Sequence, residues 1–188
     1  MNDTLRSTVL EKKIIVALRN VSLPNIGETV KALYAGGIRL IEITFNQAAE
    51  NGVEGTKKAI FEANSLGLQG LWVGAGTVMS TGQVLAAKEA GAHYVLSPNL
   101  DSAVVQKTKE LGMLSIPGAF SPSEIAAAYN LGAAFVKVFP VDLLGIPYIK
   151  ALTAPLNHIP LIAMGGINDQ NMLSYLNAGM QGVGVGSN

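Results

Sequence analysis

Phe135-Val136-Lys137-Val138-Phe139-Pro140 has the composition of a short β-strand, β-branched and aromatic, and it stops at a proline that cannot extend a ladder. Side chains alternate along a strand, so Phe135, Lys137 and Phe139 share one face and Val136 and Val138 the other. A lysine between two phenylalanines on one face is unusual, because lysine is rarely buried without a reason. Desolvation disfavours the ammonium and leaves a free amine, a nucleophile toward carbonyls. On an isolated strand a solvated lysine would be the simpler reading. The rest of the chain changes that balance.

Outward from this strand, short apolar runs alternate with amphipathic stretches, the pattern of repeated βα units around a parallel sheet. The spacing predicts strands over residues 14–18, 40–44, 71–75, 94–96, 114–116, 135–140, 161–163 and 182–185. Helices are predicted over about 25–35, 50–66, 80–90 and 102–111, then from Ser121, over 147–152 and over 169–178. Ser121-Pro122-Ser123-Glu124 opens its helix with an N-cap, a proline at the first position and an acid at the third. Eight strands with intervening helices predict an α/β fold, a (β/α)₈ TIM barrel in one domain over residues 1–188. A doubly wound sheet is the rival, but it needs fewer strands or a second lobe. Such a barrel usually runs to about 250 residues, and here the chain ends at Ser187-Asn188, just after the eighth strand. The last helix is therefore expected to be missing from a truncated chain.

The 188 residues carry 49% hydrophobic side chains, 14% charged ones, a formal net charge of zero and no cysteine. That balance argues against nucleic acid and anionic membrane surfaces as partners. Disulfides and thiolate chemistry are excluded. The polar N-terminal stretch to Lys13 lacks the apolar core of a secretory signal, and charged residues interrupt every apolar run. A cytoplasmic, soluble protein is expected.

In such a barrel chemistry sits at the C-terminal ends of the strands. Glu42, between Ile41 and Ile43, should point inward, since an acid between two isoleucines can hardly face the helix layer. The same alternation turns Arg19 away from Leu18, so Arg19, Glu42 and Lys137 converge on one mouth. Gly165-Gly166 follows strand seven and Gly184-Val185-Gly186-Ser187 ends strand eight, the usual place of a phosphate cradle in this fold. His93 and His158 precede strands four and seven, at the opposite face, so no imidazole cluster is available for zinc. No metal and no cofactor is expected. Trp72 and the six methionines read as core.

Ile41-Glu42-Ile43-Thr44, Gly74-Ala75-Gly76-Thr77-Val78, Ser97-Pro98-Asn99, Pro117-Gly118, Ser121-Pro122-Ser123-Glu124, Lys137-Val138-Phe139-Pro140 and the two glycine turns, in this order, resemble the 2-keto-3-deoxy-6-phosphogluconate/4-hydroxy-2-oxoglutarate aldolases. The resemblance implies a metal-free class I aldolase, usually homotrimeric, acting on a phosphorylated keto-deoxy sugar acid to give pyruvate. It implies that Lys137 forms the Schiff base and Glu42 shuttles protons. Gly76, Thr77 and Pro98 would then surround the pyruvate carboxylate, and Gly165, Gly166, Gly186 and Ser187 the phosphate. One departure stands out. Gluconate-type members usually carry an arginine in a Glu-x-Thr-Leu-Arg pattern, whereas this chain has Asn46 at that position and Arg19 after strand one, resembling the 2-keto-3-deoxy-6-phosphogalactonate branch. Ser97-Pro98-Asn99 and the run from Gly145 to Leu152 lean the same way. Two other readings stay open at this point: a phosphate-binding isomerase or synthase barrel with Glu42 as base, and a non-catalytic phosphosugar-binding barrel.

Overall fold

The computed structural model describes residues 2–186. Nine parallel strand segments pair in one ring-like row: β1 (Ile14–Leu18), β2 (Leu40–Thr44), β3 (Trp72–Gly76), β4 (Tyr94–Leu96), β5 (Leu114–Ile116), β6 (Gly118–Ala119), β7 (Val136–Val138), β8 (Leu161–Met164) and β9 (Gly182–Gly186). Their order is β5-β4-β3-β2-β1-β9-β8-β7-β6. The two ends of that row are neighbours in the chain, separated only by Pro117. The proline supplies no N–H, so the strand breaks there; its first half pairs with β4 and its second with β7. Lys137 N–H still donates to the Pro117 carbonyl (2.9 Å), and Ala134 N–H to that of Ser115 (2.9 Å). The eight predicted strands are thus present, the fifth in two pieces, and the row closes as a (β/α)₈ barrel.

Helices α1 (Asn2–Lys12), α2 (Leu23–Ala35), α3 (Gly52–Ser65), α4 (Thr81–Glu89), α5 (Ser102–Glu110), α6 (Pro122–Asn130), α7 (Gly145–Thr153) and α8 (Met172–Asn177) complete the described chain. The capping box of α6 forms as its sequence predicts: Ser121 Oγ accepts from the Glu124 N–H and the Glu124 carboxylate from the Ser121 N–H (2.8 Å). α5 is started by Asp101, whose carboxylate accepts from the N–H groups of Ala103 and Val104. Among the described residues no helix is long and apolar enough to cross a membrane.

The outward faces of the strands pack against the helices in two clusters. Ile41, Ile43, Val73 and Ala75 meet Ile26, Val30, Ile60 and Val84; Val136, Val138, Leu161 and Ala163 meet Ile125, Ile149 and Leu152. The inward faces form a third cluster, with Ile15, Leu40, Tyr94, Leu96, Ile116, Phe135, Ile162 and Met164. Helix α1, for which the sequence reading has no counterpart, closes the N-terminal end of this interior with Leu5 and Val9, spaced four apart on one helical face. Its Arg6 lies 5.7 Å from the Phe135 ring. The expectation that every methionine is core does not hold: Met79, in the loop beyond β3, is 46% exposed, and Met172, at the start of α8, is only partly buried against the helix-facing cluster; Met1 lies outside the described residues. Trp72 is only half-buried, its ring edge-on to His93 at 4.9 Å on the rim opposite the strands' C-terminal ends.

Candidate active site

Strand alternation delivers both buried ionisable groups to the barrel interior. In β7, Val136 and Val138 join the helix-facing core while Phe135 and Phe139 join the inner one, which leaves Lys137 pointing inward. Its ammonium lies 4.6 Å from the Phe139 ring centroid. In β2, Ile41 and Ile43 face outward and Glu42 inward. Arg19 follows β1 and reaches the same mouth. All three line a cleft of about 230 Å³, whose far wall is made by Gly165, Gly166 and Gly186.

Burial governs the electrostatics of this cleft. It pushes the Glu42 carboxyl above the usual carboxylate range, and the positive charges of Lys137 and Arg19 only partly offset the rise. Burial also lowers the Lys137 ammonium, with Arg19 adding to the effect and Glu42 opposing it. Glu42 is 3% and Lys137 7% exposed, so neither charge is dissipated by solvent. Glu42 Oε2 is buried without any hydrogen-bond partner in the protein. A buried, unpaired carboxyl oxygen sharing a cleft with a buried lysine is an expensive arrangement for structure alone. It can take a proton from, or give one to, a small molecule held in the cleft.

The remaining predicted residues are placed differently around this cleft. Gly76 ends β3 directly against Glu42, 2.8 Å from its Cδ to where a Cβ would stand. Thr77 follows in left-handed backbone (φ 55°) and lines, with Arg19, Asn20, Asn46 and Gln47, an adjoining hollow of about 340 Å³. Pro98 lines neither space; it lies in the turn after β4, packed across Gly118. Gly165 and Gly166 turn out of β8 with φ of 97° and 67°, and Asn171 Nδ2 donates to the Gly166 carbonyl (2.8 Å), fixing the turn. Ser187 lies outside the described residues.

Sequence reasoning missed Ala17 and Met164, which also line the cleft. Both were readable by alternation, two positions back from Arg19 and two on from Ile162. It also missed Gln47 and Gln83. Gln83 Nε2 donates to Gln47 Oε1 (2.8 Å), and Gln47 Nε2 to the Thr77 carbonyl (2.6 Å), tying the loops after β2 and β3 together. No spacing rule links positions 36 residues apart. A larger groove of about 620 Å³ runs over the outside of the helices past Leu23, Phe61 and Glu89. Its charges are surface pairs such as Lys57–Glu89 (2.9 Å), without a buried ionisable group, so the smaller cleft is the chemical one. Among the described residues no group of three or more His, Cys, Asp or Glu side chains could hold a metal ion.

Against known proteins, residues 5–188 match the family model described as "Aldolase: KDPG and KHG aldolase". A probable 2-dehydro-3-deoxy-6-phosphogalactonate aldolase of Rhizobium meliloti is 32% identical over 186 residues, 98% of this chain and 85% of the relative. Among solved structures, the KDPG aldolase of Legionella pneumophila with pyruvate captured as a covalent carbinolamine shares 27% identity and a TM-score of 0.84, over 97% of this chain and 86% of that one. A cube-shaped cage designed by fusing symmetric oligomeric domains shares 30% identity and a TM-score of 0.85, over 93% of this chain; this chain spans 63% of that longer fusion.

Proposed function

The chain belongs to the KDPG and KHG aldolase family, and from that premise we propose that it is a class I aldolase cleaving a phosphorylated 2-keto-3-deoxy sugar acid to pyruvate and an aldehyde such as glyceraldehyde 3-phosphate. The observation that supports this most is the inward Lys137, its ammonium destabilised by burial, sharing a cleft with the equally buried Glu42.

In this reading the neutral Lys137 amine attacks the C2 carbonyl of the substrate, and Glu42 donates the proton with which the carbinolamine loses water. The resulting protonated imine is an electron sink. Glu42, now ionised, takes the C4 hydroxyl proton through a water molecule. The C3–C4 bond breaks, its electron pair enters the enamine, and the aldehyde leaves. Glu42 then returns its proton to C3, and hydrolysis of the imine frees pyruvate and Lys137. A carboxyl raised toward neutrality suits both halves of that cycle, since it must give and take a proton at one pH.

The substrate's two anionic ends are assigned to opposite walls. Arg19, with Gly76 and Thr77, holds the carboxylate, while Pro98, expected beside them, lies away from both spaces; Gly165, Gly166, Gly186 and Ser187 hold the phosphate. Arg19 supports this because its guanidinium borders both the Lys137 cleft and the adjoining hollow. The glycine turns support it because the backbone there approaches the cleft without a side chain in the way. A homotrimer working in the cytoplasm completes the reading, supported by the family resemblance. A coupled assay of pyruvate release over a panel of 2-keto-3-deoxy acids, with and without the phosphate, tests the assignment. Turnover of the phosphorylated acids is expected; turnover of none of them would refute it.

A further inference from the structure

Two successive inward positions of β3, Gly74 and Gly76, carry no side chain, and neighbouring strands lean over them. From β4, the Tyr94 ring covers Gly74, where a Cβ would stand 2.6 Å from ring atoms Cδ2 and Cζ. From β2, the Glu42 carboxyl covers Gly76. Gly74 is in register with both Glu42 and Tyr94. Inward positions repeat about every 6.6 Å along a strand, so the phenol forms the layer directly below the carboxyl. Tyr94 is fully buried, and its hydroxyl crosses β3 to donate to the carbonyl of Ile41 (2.6 Å), the residue before Glu42.

We propose that Tyr94 is a positioning residue for Glu42: its ring is the dry floor beneath the carboxyl, and its hydroxyl anchors the β2 backbone from which Glu42 projects. The inference rests on the reading of Glu42 as the proton shuttle. Two cations face Glu42, Lys137 from β7 and Arg19 from the end of β1, and both favour its ionised form. Tyr94, the third titratable group against it, stays neutral because burial and the nearby carboxyl both hold its proton. With two positive neighbours favouring the carboxylate, burial is what raises the Glu42 carboxyl above its ordinary range. The floor therefore decides whether Glu42 works as a shuttle or becomes a plain salt-bridge partner. A purely structural tyrosine would change stability when removed but leave the titration of Glu42 where it was.

The test titrates Glu42 directly, without substrate, by the infrared carboxyl band that disappears in Glu42→Gln. Its outcome is thus separable from whether the full chain turns over any sugar acid. In Tyr94→Phe the band should titrate as in wild type, because the ring remains, while kcat falls about three- to tenfold with KM unchanged, because the anchor is lost. In Tyr94→Leu, which opens the floor to water, the midpoint should fall by about one pH unit. A Tyr94→Leu midpoint equal to that of wild type overturns the proposal. Should Tyr94→Leu fail to fold, a Tyr94→Phe enzyme with undiminished kcat overturns it instead.

Discussion

The carboxyl of Glu42 occupies the space that a side chain on Gly76 would need: a Cβ built there overlaps Oε2 and stands 2.8 Å from Cδ. Strand β3 is bare at this point so that an acid from β2 can reach across it toward the centre of the barrel. Gly76→Ala should therefore displace the carboxyl while leaving the backbone fold intact, since the residue lies at ordinary negative φ. The expected result is a loss of kcat of about 100-fold or more with circular dichroism unchanged. Near-normal turnover would mean that Glu42 does not need this position.

Replacing the carboxyl itself separates chemistry from binding. Glu42→Gln keeps the shape and removes the proton shuttle, which typically contributes about 10²–10⁴-fold. Turnover should fall within that range while the affinity for pyruvate changes little. A loss of only a few-fold would assign Glu42 to structure.

The same variant makes a prediction about pH and stability. The folded-state pKa of Glu42 is raised, chiefly by burial. Its stability contribution is therefore fully present below the unfolded value of about 4.3 and is lost as pH rises through the folded one. At pH 8 the buried carboxylate opposes folding, so Glu42→Gln should melt at a higher temperature than wild type. The gap should close as the pH is lowered to about 4.3. Thermal unfolding of both proteins across this range is the check, and a less stable Glu42→Gln at pH 8 would contradict it.

Substrate preference follows from the position of the guanidinium. Asn46 stands where gluconate-type relatives are expected to carry arginine, and Arg19 borders the same hollow from β1. A charge-assisted hydrogen bond is worth about 1.5–3 kcal/mol, and Arg19 is exposed enough to discount that toward the lower end. Arg19→Ala should thus raise KM about tenfold. The galacto epimer should be cleaved at least as well as the gluco epimer, with Asn46→Arg shifting the ratio toward gluco. Comparing kcat/KM for both epimers decides it; a strong gluco preference together with a near-normal Arg19→Ala contradicts the argument.

The inward direction of Lys137 and Glu42 was legible because period-2 alternation needs only the residues on either side, two valines for one and two isoleucines for the other, and Arg19 was placed by Leu18 on one side alone. The barrel was legible because each βα unit carries its own caps and stops, as Ser121-Pro122-Ser123-Glu124 does for α6. What was not legible depends on partners far away in sequence. Tyr94 meets Gly74 and Ile41 only once β2, β3 and β4 are adjacent, and Gln83 of α4 meets Gln47 only after the loop that follows β2 folds against that helix. The break of the fifth strand at Pro117 could have been read from proline's missing N–H. Helix α1 was hidden because only Leu5 and Val9 of its 11 residues are buried, too thin a stripe to stand out in a polar stretch.

The Schiff base on Lys137 is the central claim, and reductive trapping tests it most directly. Borohydride added to the protein with pyruvate should attach one reduced pyruvyl group, located by peptide mass spectrometry at Lys137, and Lys137→Ala should acquire none. A wild-type protein that gains no adduct, or an adduct that persists in Lys137→Ala, would contradict the account.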